Sequence, residues 1–231
     1  MIKEYLYPLW LRLWHWINAL LFVVLIGTGI SLHYSDSSDL FISFESSMTI
    51  HNTAGIILIL NYLLFLVSNV ISGNYKHYKL QIKGLIPRLI TQTKFYLSGI
   101  FKNEAHPYES TAKEKFNPLQ KITYIAIMFV LMPMISISGI FMLLPQLAPD
   151  EVFGMGGITP MAIIHLASAY FLTVFMVGHI YLATTGSSVT ANFKSMIDGY
   201  HIHDEHDLGE HTQEYDDIET KKQEYIESQA Q

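Results

Sequence analysis

Four long apolar stretches dominate the pattern of hydrophobic and polar positions along the chain. None of them contains Lys, Arg, Asp or Glu, and they cover Leu13–Leu32, His51–Ser72, Ile122–Leu144 and Met161–Thr185. A helix needs about 20 residues to cross a hydrocarbon core of roughly 30 Å. The pattern therefore predicts an all-α integral membrane protein, a bundle of four transmembrane helices at about 10–33, 48–72, 119–144 and 160–186.

The charged residues lie almost entirely outside these stretches, and they predict how the spans are oriented. Only 15% of the 231 residues are charged, against about a quarter in soluble domains, which argues against a soluble enzyme or a nucleic-acid-binding protein. All 14 Lys and Arg fall on the side of the two termini and the middle connection, whereas the other two connections carry only acids. The positive-inside rule therefore predicts a multi-pass membrane protein with both termini in the cytoplasm.

The connection between the second and third spans and the C-terminal tail differ sharply in composition. Residues 73–121 mix basic and apolar side chains, which predicts one or two amphipathic helices, broken near Pro87, on the lipids of the cytoplasmic leaflet. A docking surface for a soluble partner is the alternative. We divide the chain into a membrane domain of residues 1–195 and an acidic tail of residues 196–231, predicted to be disordered. Four tail histidines leave binding of a divalent metal as an alternative: His201, His203, His206 and His211.

Four further histidines lie inside the spans, and their depths predict two pairs. His165 and His179 are fourteen residues apart on the fourth span, a rise of about 21 Å and a rotation within ~40° of whole turns. They therefore share one helix face, one in each leaflet. His15 on the first span lies at the depth of His179, near the cytoplasm, and His51 on the second span lies at the depth of His165. The predicted pairs are His15 with His179 and His51 with His165.

Facing histidines at two depths fit haem better than the other roles of buried histidines. Two imidazoles on adjacent helices can bind a haem iron from opposite sides. A proton relay in a haem-free transporter or anchor also uses buried histidines, but it needs no pairing by depth. Zinc needs further ligands, often thiolates, and the chain has no cysteine, which also excludes disulfides and iron–sulfur clusters. Arg12 is a candidate for a haem propionate, with a headgroup contact as the alternative.

Small and hydroxyl residues accompany the histidines. Four glycines leave room for a flat macrocycle between helices, or alternatively allow close helix packing: Gly27, Gly29, Gly55 and Gly178. Three residues of the fourth span are candidates for hydrogen bonds that support a bound haem, although such hydroxyls also occur simply in packing: Ser168, Tyr170 and Thr173.

Several of these motifs together resemble a known family. The sequence RLWHW from Arg12 to Trp16, the Thr28–Gly29 step, and His51 followed four residues later by Gly55 resemble the di-haem b-type cytochromes. So do the His165–His179 spacing and the sequence FNPLQK at 116–121. This family provides membrane subunits to nickel–iron hydrogenases, formate dehydrogenases and thiosulfate reductases. The chain is most similar to the thiosulfate reductase cytochrome b subunit, a membrane anchor, over roughly residues 5–195.

The resemblance implies an electron-transfer subunit in the bacterial inner membrane. Its cofactors would be two haems b and a quinone, either menaquinone or ubiquinone, bound near the cytoplasmic-side haem beside Asn117. This sequence departs from the family at Leu119, where the family has a glycine. The alternative role of Asn117 is an N-cap of the third span. The implied partner is a periplasmic oxidoreductase, either a molybdenum–iron–sulfur complex or a multihaem cytochrome c, which would carry the substrate chemistry. No catalytic residue set is visible, and a stand-alone quinone-coupled haem oxidoreductase is the alternative function.

Overall fold

The computed structural model describes residues 2–34, 42–102, 104, 106–108, 111, 114–152, 154–186 and 188–203. In chain order the elements are β1 (Ile2–Tyr5), α1 (Leu9–His33), α2 (Phe44–Ile71), α3 (Leu85–Leu97), α4 (Pro118–Ala126), α5 (Met132–Leu143), β2 (Glu151–Val152), β3 (Met155–Gly156), α6 (Ile158–Ala183), α7 (Ala191–Asp198) and β4 (Tyr200–His203). A π-helical turn, Ile127–Leu131, joins α4 to α5, so that the two form one long helix.

In the part of the chain that the structure describes, four helices are long and apolar enough to cross a membrane, which confirms the predicted fold class. They are α1, α2, the continuous α4–α5 helix and α6. Helix α1 packs against α2, α5 packs against α6, and α2 contacts α5, so two antiparallel hairpins form the bundle. Large buried side chains such as Phe65, Met132 and Leu172 lie between them. We call the end that carries the termini and the middle connection the basic end, and the other the acidic end.

A proline just after the π-helical turn in the third span leaves one backbone carbonyl of that turn without a donor in its own helix. In a π-helix each N–H bonds to the carbonyl five residues earlier, but residue 133 is proline and has no N–H for the carbonyl of Met128. The Tyr62 hydroxyl of α2 donates a 2.6 Å hydrogen bond to that carbonyl instead. The proline therefore frees an acceptor inside the bundle, and a neighbouring span satisfies it.

The middle connection forms one amphipathic helix, so the predicted break near Pro87 is wrong. Pro87 lies in the first turn of α3, where backbone N–H groups have no partner within the helix and a proline costs nothing. Gln92 and Phe95 are buried on one face, whereas Ile86 and Leu97 are exposed on the opposite one. The buried face packs against α4.

Described secondary structure continues beyond residue 196, into the first part of the predicted tail. Helix α7 extends to Asp198, and β4 then pairs antiparallel with β1. Gly199 links them with φ +90°, and a Cβ there would lie 2.8 Å from the Tyr7 carbonyl oxygen. Both chain ends are therefore joined at the basic end. His206 and His211 lie outside the described residues.

Candidate functional site

The structure brings the four span histidines together in the two predicted pairs. The rings of His15 on α1 and His179 on α6 have centroids 6.1 Å apart at the basic end. The rings of His51 on α2 and His165 on α6 have centroids 6.3 Å apart at the acidic end. Each pair therefore bridges the α1–α2 hairpin and α6. That these four side chains are iron ligands stays a prediction.

The ring separations fit a metal held between each pair. A first-row metal lies about 2.0 Å from a coordinating imidazole nitrogen, and that nitrogen lies about 1.1 Å from the ring centre for bonds of about 1.33 Å. Two rings on opposite sides of one metal therefore have centroids about 6.3 Å apart. Within the part of the chain that the structure describes, no group of three or more His, Asp or Glu side chains comes together as a metal site. Two histidines in each site would suit a haem iron, which needs only two ligands from the protein, whereas tetrahedral zinc needs four ligands.

Space beside the histidines also fits a flat macrocycle. At Gly27, Gly55 and Gly178 no described neighbouring atom lies within 4 Å of where a Cβ would stand. These three glycines therefore do not serve close helix packing, the alternative that the sequence left open. Gly29 differs, because its Cβ position lies 3.5 Å from Cε1 of the His51 ring.

Hydrogen bonds hold the acidic-end histidines through Nδ1. Nδ1 of His51 lies 2.9 Å from the Thr28 hydroxyl oxygen on α1. Nδ1 of His165 lies 3.2 Å from both the Ser138 hydroxyl oxygen and the Ile135 carbonyl oxygen on α5. Such bonds to the second ring nitrogen are usual for metal-binding histidines and leave Nε2 for the metal.

The basic-end pair has different surroundings. Nδ1 of His15 is buried and has no hydrogen-bond partner among the described residues. The Phe175 ring stacks on His179 with centroids 5.7 Å apart, and the Trp16 ring meets His15 edge-on. Aromatic packing therefore orients this pair, whereas hydrogen bonds orient the acidic-end pair.

Arg12 and Asn117, the two other predicted cofactor-binding residues, have protein partners. The Arg12 guanidinium donates a hydrogen bond to the Ile197 carbonyl at the end of α7, although its buried Nε has no partner among the described residues. The Asn117 side chain accepts a hydrogen bond from the Gln120 N–H at the start of α4 and donates one of 2.9 Å to the Tyr96 hydroxyl. Asn117 is therefore an N-cap, and its predicted contact with a quinone stays a prediction.

Sequence reasoning missed a buried amide next to this N-cap. Gln92 is fully buried, and neither polar atom of its side chain has a hydrogen bond of ordinary geometry among the described residues, although the Tyr96 hydroxyl interacts with it. Burial raises the pKa of Tyr96, even though its contacts with Asn117 and Gln92 act in the opposite direction. The helical period of the basic connection predicts an inward face for α3, but it does not show that the face contains a buried amide.

The hydroxyls that support the histidines come from α1 and α5, and not from α6 as expected. Tyr170 is exposed on the outside of the bundle, and Thr173 bonds the Ala169 carbonyl of its own helix. Ser168 is buried without a described partner. The Thr28–Gly29 step was visible in the sequence as a motif, whereas nothing distinguished Ser138 from other span hydroxyls.

Comparisons with known proteins agree with this site. The family described as prokaryotic cytochrome b561 matches residues 6–199, which include all four span histidines. A relative named putative cytochrome YdhU, from Escherichia coli (strain K12), is 38% identical over 201 residues. That match covers 87% of this chain and 76% of the relative.

Proposed function

The chain belongs to the prokaryotic cytochrome b561 family of membrane cytochromes, which transfer electrons across membranes through haem b, and from this premise we propose its more specific role. It binds two haems b and carries electrons between a quinone pool and an oxidoreductase partner on the periplasmic side. The basic end faces the cytoplasm, and the chain lies in the bacterial inner membrane.

The observation that carries the proposal is the presence of two facing histidine pairs at opposite ends of one bundle. Helix α6 contributes to both, through His165 and His179, about 21 Å apart along its axis. When bound, haem iron supplies one-electron chemistry by changing between its ferric and ferrous states. The residues of this chain would bind the iron through Nε2, fix the ring planes, and surround the site with apolar side chains that exclude water.

Quinone exchange at the basic end is the second part of the proposal. The buried Gln92 amide has no hydrogen bond of ordinary geometry among the described residues, and it lies beside the Tyr96 hydroxyl, which Asn117 also contacts. Buried amides normally have hydrogen-bond partners, and a quinone carbonyl or quinol hydroxyl would provide one. We place the partner at the acidic end because the connections there are short and leave the His51–His165 pair near the surface.

Transfer across the bilayer is tested with the purified full chain in liposomes that enclose ferricyanide. Dithionite added outside cannot reach the ferricyanide directly, so electrons from dithionite must cross the membrane through the protein. We expect reduction of the enclosed ferricyanide by the wild type and loss of it in His51→Ala and His179→Ala. His33→Ala is the matched control, because His33 belongs to neither pair. Equal rates in all variants and in protein-free liposomes would refute the proposed function.

The quinone site is tested separately in detergent, by the reduction of bound haem with duroquinol. We expect Gln92→Leu to raise the duroquinol concentration needed for half-maximal haem reduction by roughly tenfold, the cost of one lost hydrogen bond of about 1.4 kcal/mol. Gln146→Leu, at an exposed position of the acidic end, is the control. An unchanged concentration dependence in Gln92→Leu would remove this residue from the quinone site and leave the two haems untouched.

A further inference from the structure

The hydrogen bonds around Thr28 determine which His51 nitrogen carries the proton. The Thr28 hydroxyl donates its one hydrogen to the Val24 carbonyl at 2.8 Å, so at 2.9 Å from His51 Nδ1 it can only accept. Nδ1 therefore carries the hydrogen, and Nε2 keeps a free lone pair. The Leu25 carbonyl also faces the His51 ring as a hydrogen-bond acceptor, and Gly29 lets the ring approach α1 closely.

The same arrangement recurs on α5 around His165. The Ser138 hydroxyl donates to the Met134 carbonyl at 2.7 Å and therefore accepts from Nδ1 of His165. The Ile135 carbonyl is the second acceptor, at 3.2 Å. A Cβ on Gly139 would lie only 3.1 Å from Cε1 of the His165 ring. The acceptor carbonyl, the hydroxyl and the glycine thus occupy the same relative positions on both helices.

We propose that the two Ser/Thr–Gly steps, Thr28–Gly29 and Ser138–Gly139, are positioning elements that lower the reduction potential of the acidic-end haem. This inference rests on the proposed function, because it requires haem between His51 and His165. The steps hold each ring in the tautomer that carries hydrogen on Nδ1, which leaves the Nε2 lone pair free on both histidines. The basic-end pair has no equivalent at His15, whose Nδ1 lacks a described partner.

The direction of the effect follows from the basicity of the ligand. An imidazole that donates its Nδ1 hydrogen to an oxygen gains electron density on Nε2 and becomes a stronger ligand. A stronger donor stabilises ferric iron more than ferrous iron, so the midpoint potential falls. Two such histidines on one iron act in the same direction.

The test compares Thr28→Val with Thr28→Ser by redox titration of the purified full chain, following the haem absorbance. Valine keeps the volume and removes the acceptor, whereas serine keeps the acceptor. In Thr28→Val we expect one of two potential components to shift upward by about 59 mV, a roughly tenfold change in the ferric preference. Thr28→Ser should titrate like the wild type. Thr173→Val is the matched control, since the Thr173 hydroxyl bonds only its own helix among the described contacts.

The possible outcomes separate this inference from the proposed function. Two haems with no upward shift in Thr28→Val, or with the same shift in Thr28→Ser and Thr173→Val, would overturn the inference and leave the di-haem assignment intact. A wild type without haem would overturn both. If Thr28→Val loses the acidic-end haem, the test uses Ser138→Ala instead, because the Ile135 carbonyl still holds His165 in that variant. An upward shift there supports the inference, and an unchanged potential overturns it.

Discussion

Hydroxyl side chains inside the spans serve different purposes that depend on their partners. Thr28 and Ser138 accept hydrogen bonds from histidines of other helices, Tyr62 satisfies a backbone carbonyl of the third span, and Thr173 bonds only its own helix among the described contacts. In an apolar bundle each such bond satisfies a polar group that would otherwise lack a partner. The effect of a substitution therefore follows from the contact and not from the residue type.

Removal of the Tyr62 hydroxyl should destabilise the bundle. Tyr62→Phe leaves the Met128 carbonyl of the π-helical turn without a donor, and we expect a loss of about 1 kcal/mol in the free energy of unfolding. The measurement is a denaturant titration in detergent, with Tyr170→Phe as the control because Tyr170 is exposed on the outside of the bundle. Equal stability of the two variants would show that another group satisfies the Met128 carbonyl.

At the residue scale, the sequence predicts the depth and the face of a side chain within its own helix. It misses the contacts that this side chain makes with neighbouring helices. The spacing of His165 and His179 fixes their relative depth and face, so their pairing with His15 and His51 could be worked out. The hydrogen-bond partners of these histidines lie on other helices, and their choice depends on helix rotation and packing. The period of a single span contains no information on that rotation, so the sequence favours hydroxyls of α6, whereas the supporting hydroxyls lie on α1 and α5.

At the scale of elements, the two chain ends and the middle connection close the basic end. Strand β1 pairs with β4, and the Trp16 indole N–H donates to the Met196 carbonyl of α7. The period of apolar residues predicted α3 correctly as an amphipathic helix. The pairing of β1 with β4 is not predictable, because it joins two segments of four residues almost 200 residues apart, each too short for its pattern to identify a strand.

Gly199 should tolerate no side chain. Its φ of +90° and the 2.8 Å approach of the Tyr7 carbonyl oxygen to a Cβ position predict that Gly199→Ala costs about 1–3 kcal/mol and separates β1 from β4. Gly84→Ala is the control, because Gly84 also has a positive φ, +70°, but open space around it. Thermal unfolding and hydrogen exchange of residues 2–7 measure both effects. If the two variants lose the same stability, the steric contact at Gly199 has no energetic role.

The middle connection should loosen as the pH falls. Burial against Phe95 lowers the pKa of His106 below its ordinary value of 6.5, so below that value the unfolded connection binds more protons than the folded one. Stability from the neutral His106 is therefore complete above about pH 6.5 and is lost as the pH falls toward the lowered pKa. We expect faster hydrogen exchange of α3 at about pH 5.5 than at about pH 7.5, after correction for intrinsic rates.

His106→Phe provides the control for this pH dependence. It keeps an aromatic ring against Phe95 and removes the titrating group, so the exchange of α3 should no longer change between the two pH values. The same acid-induced increase in the variant and in the wild type would assign the effect to another group.

At the scale of the whole molecule, the bundle consists of two helical hairpins that the two histidine pairs connect. Both pairs join the α1–α2 hairpin to α6, and no described neighbouring atom lies within 4 Å of a Cβ position on Gly55 or Gly178. A group bound there would complete the core and hold the hairpins together, since binding to the folded state alone adds to stability. The four spans were predictable from apolar length, whereas the separation of the hairpins depends on packing.

The central claim is that each histidine pair binds one haem b, and the most direct test is the amount of haem per polypeptide. We expect pyridine haemochrome analysis of the purified chain to give two non-covalent haems. One haem should remain in His179→Ala, which breaks the basic-end pair, and one in His51→Ala, which breaks the acidic-end pair, while His33→Ala should keep both. A folded wild type with fewer than two haems, or variants that keep both, would contradict the account.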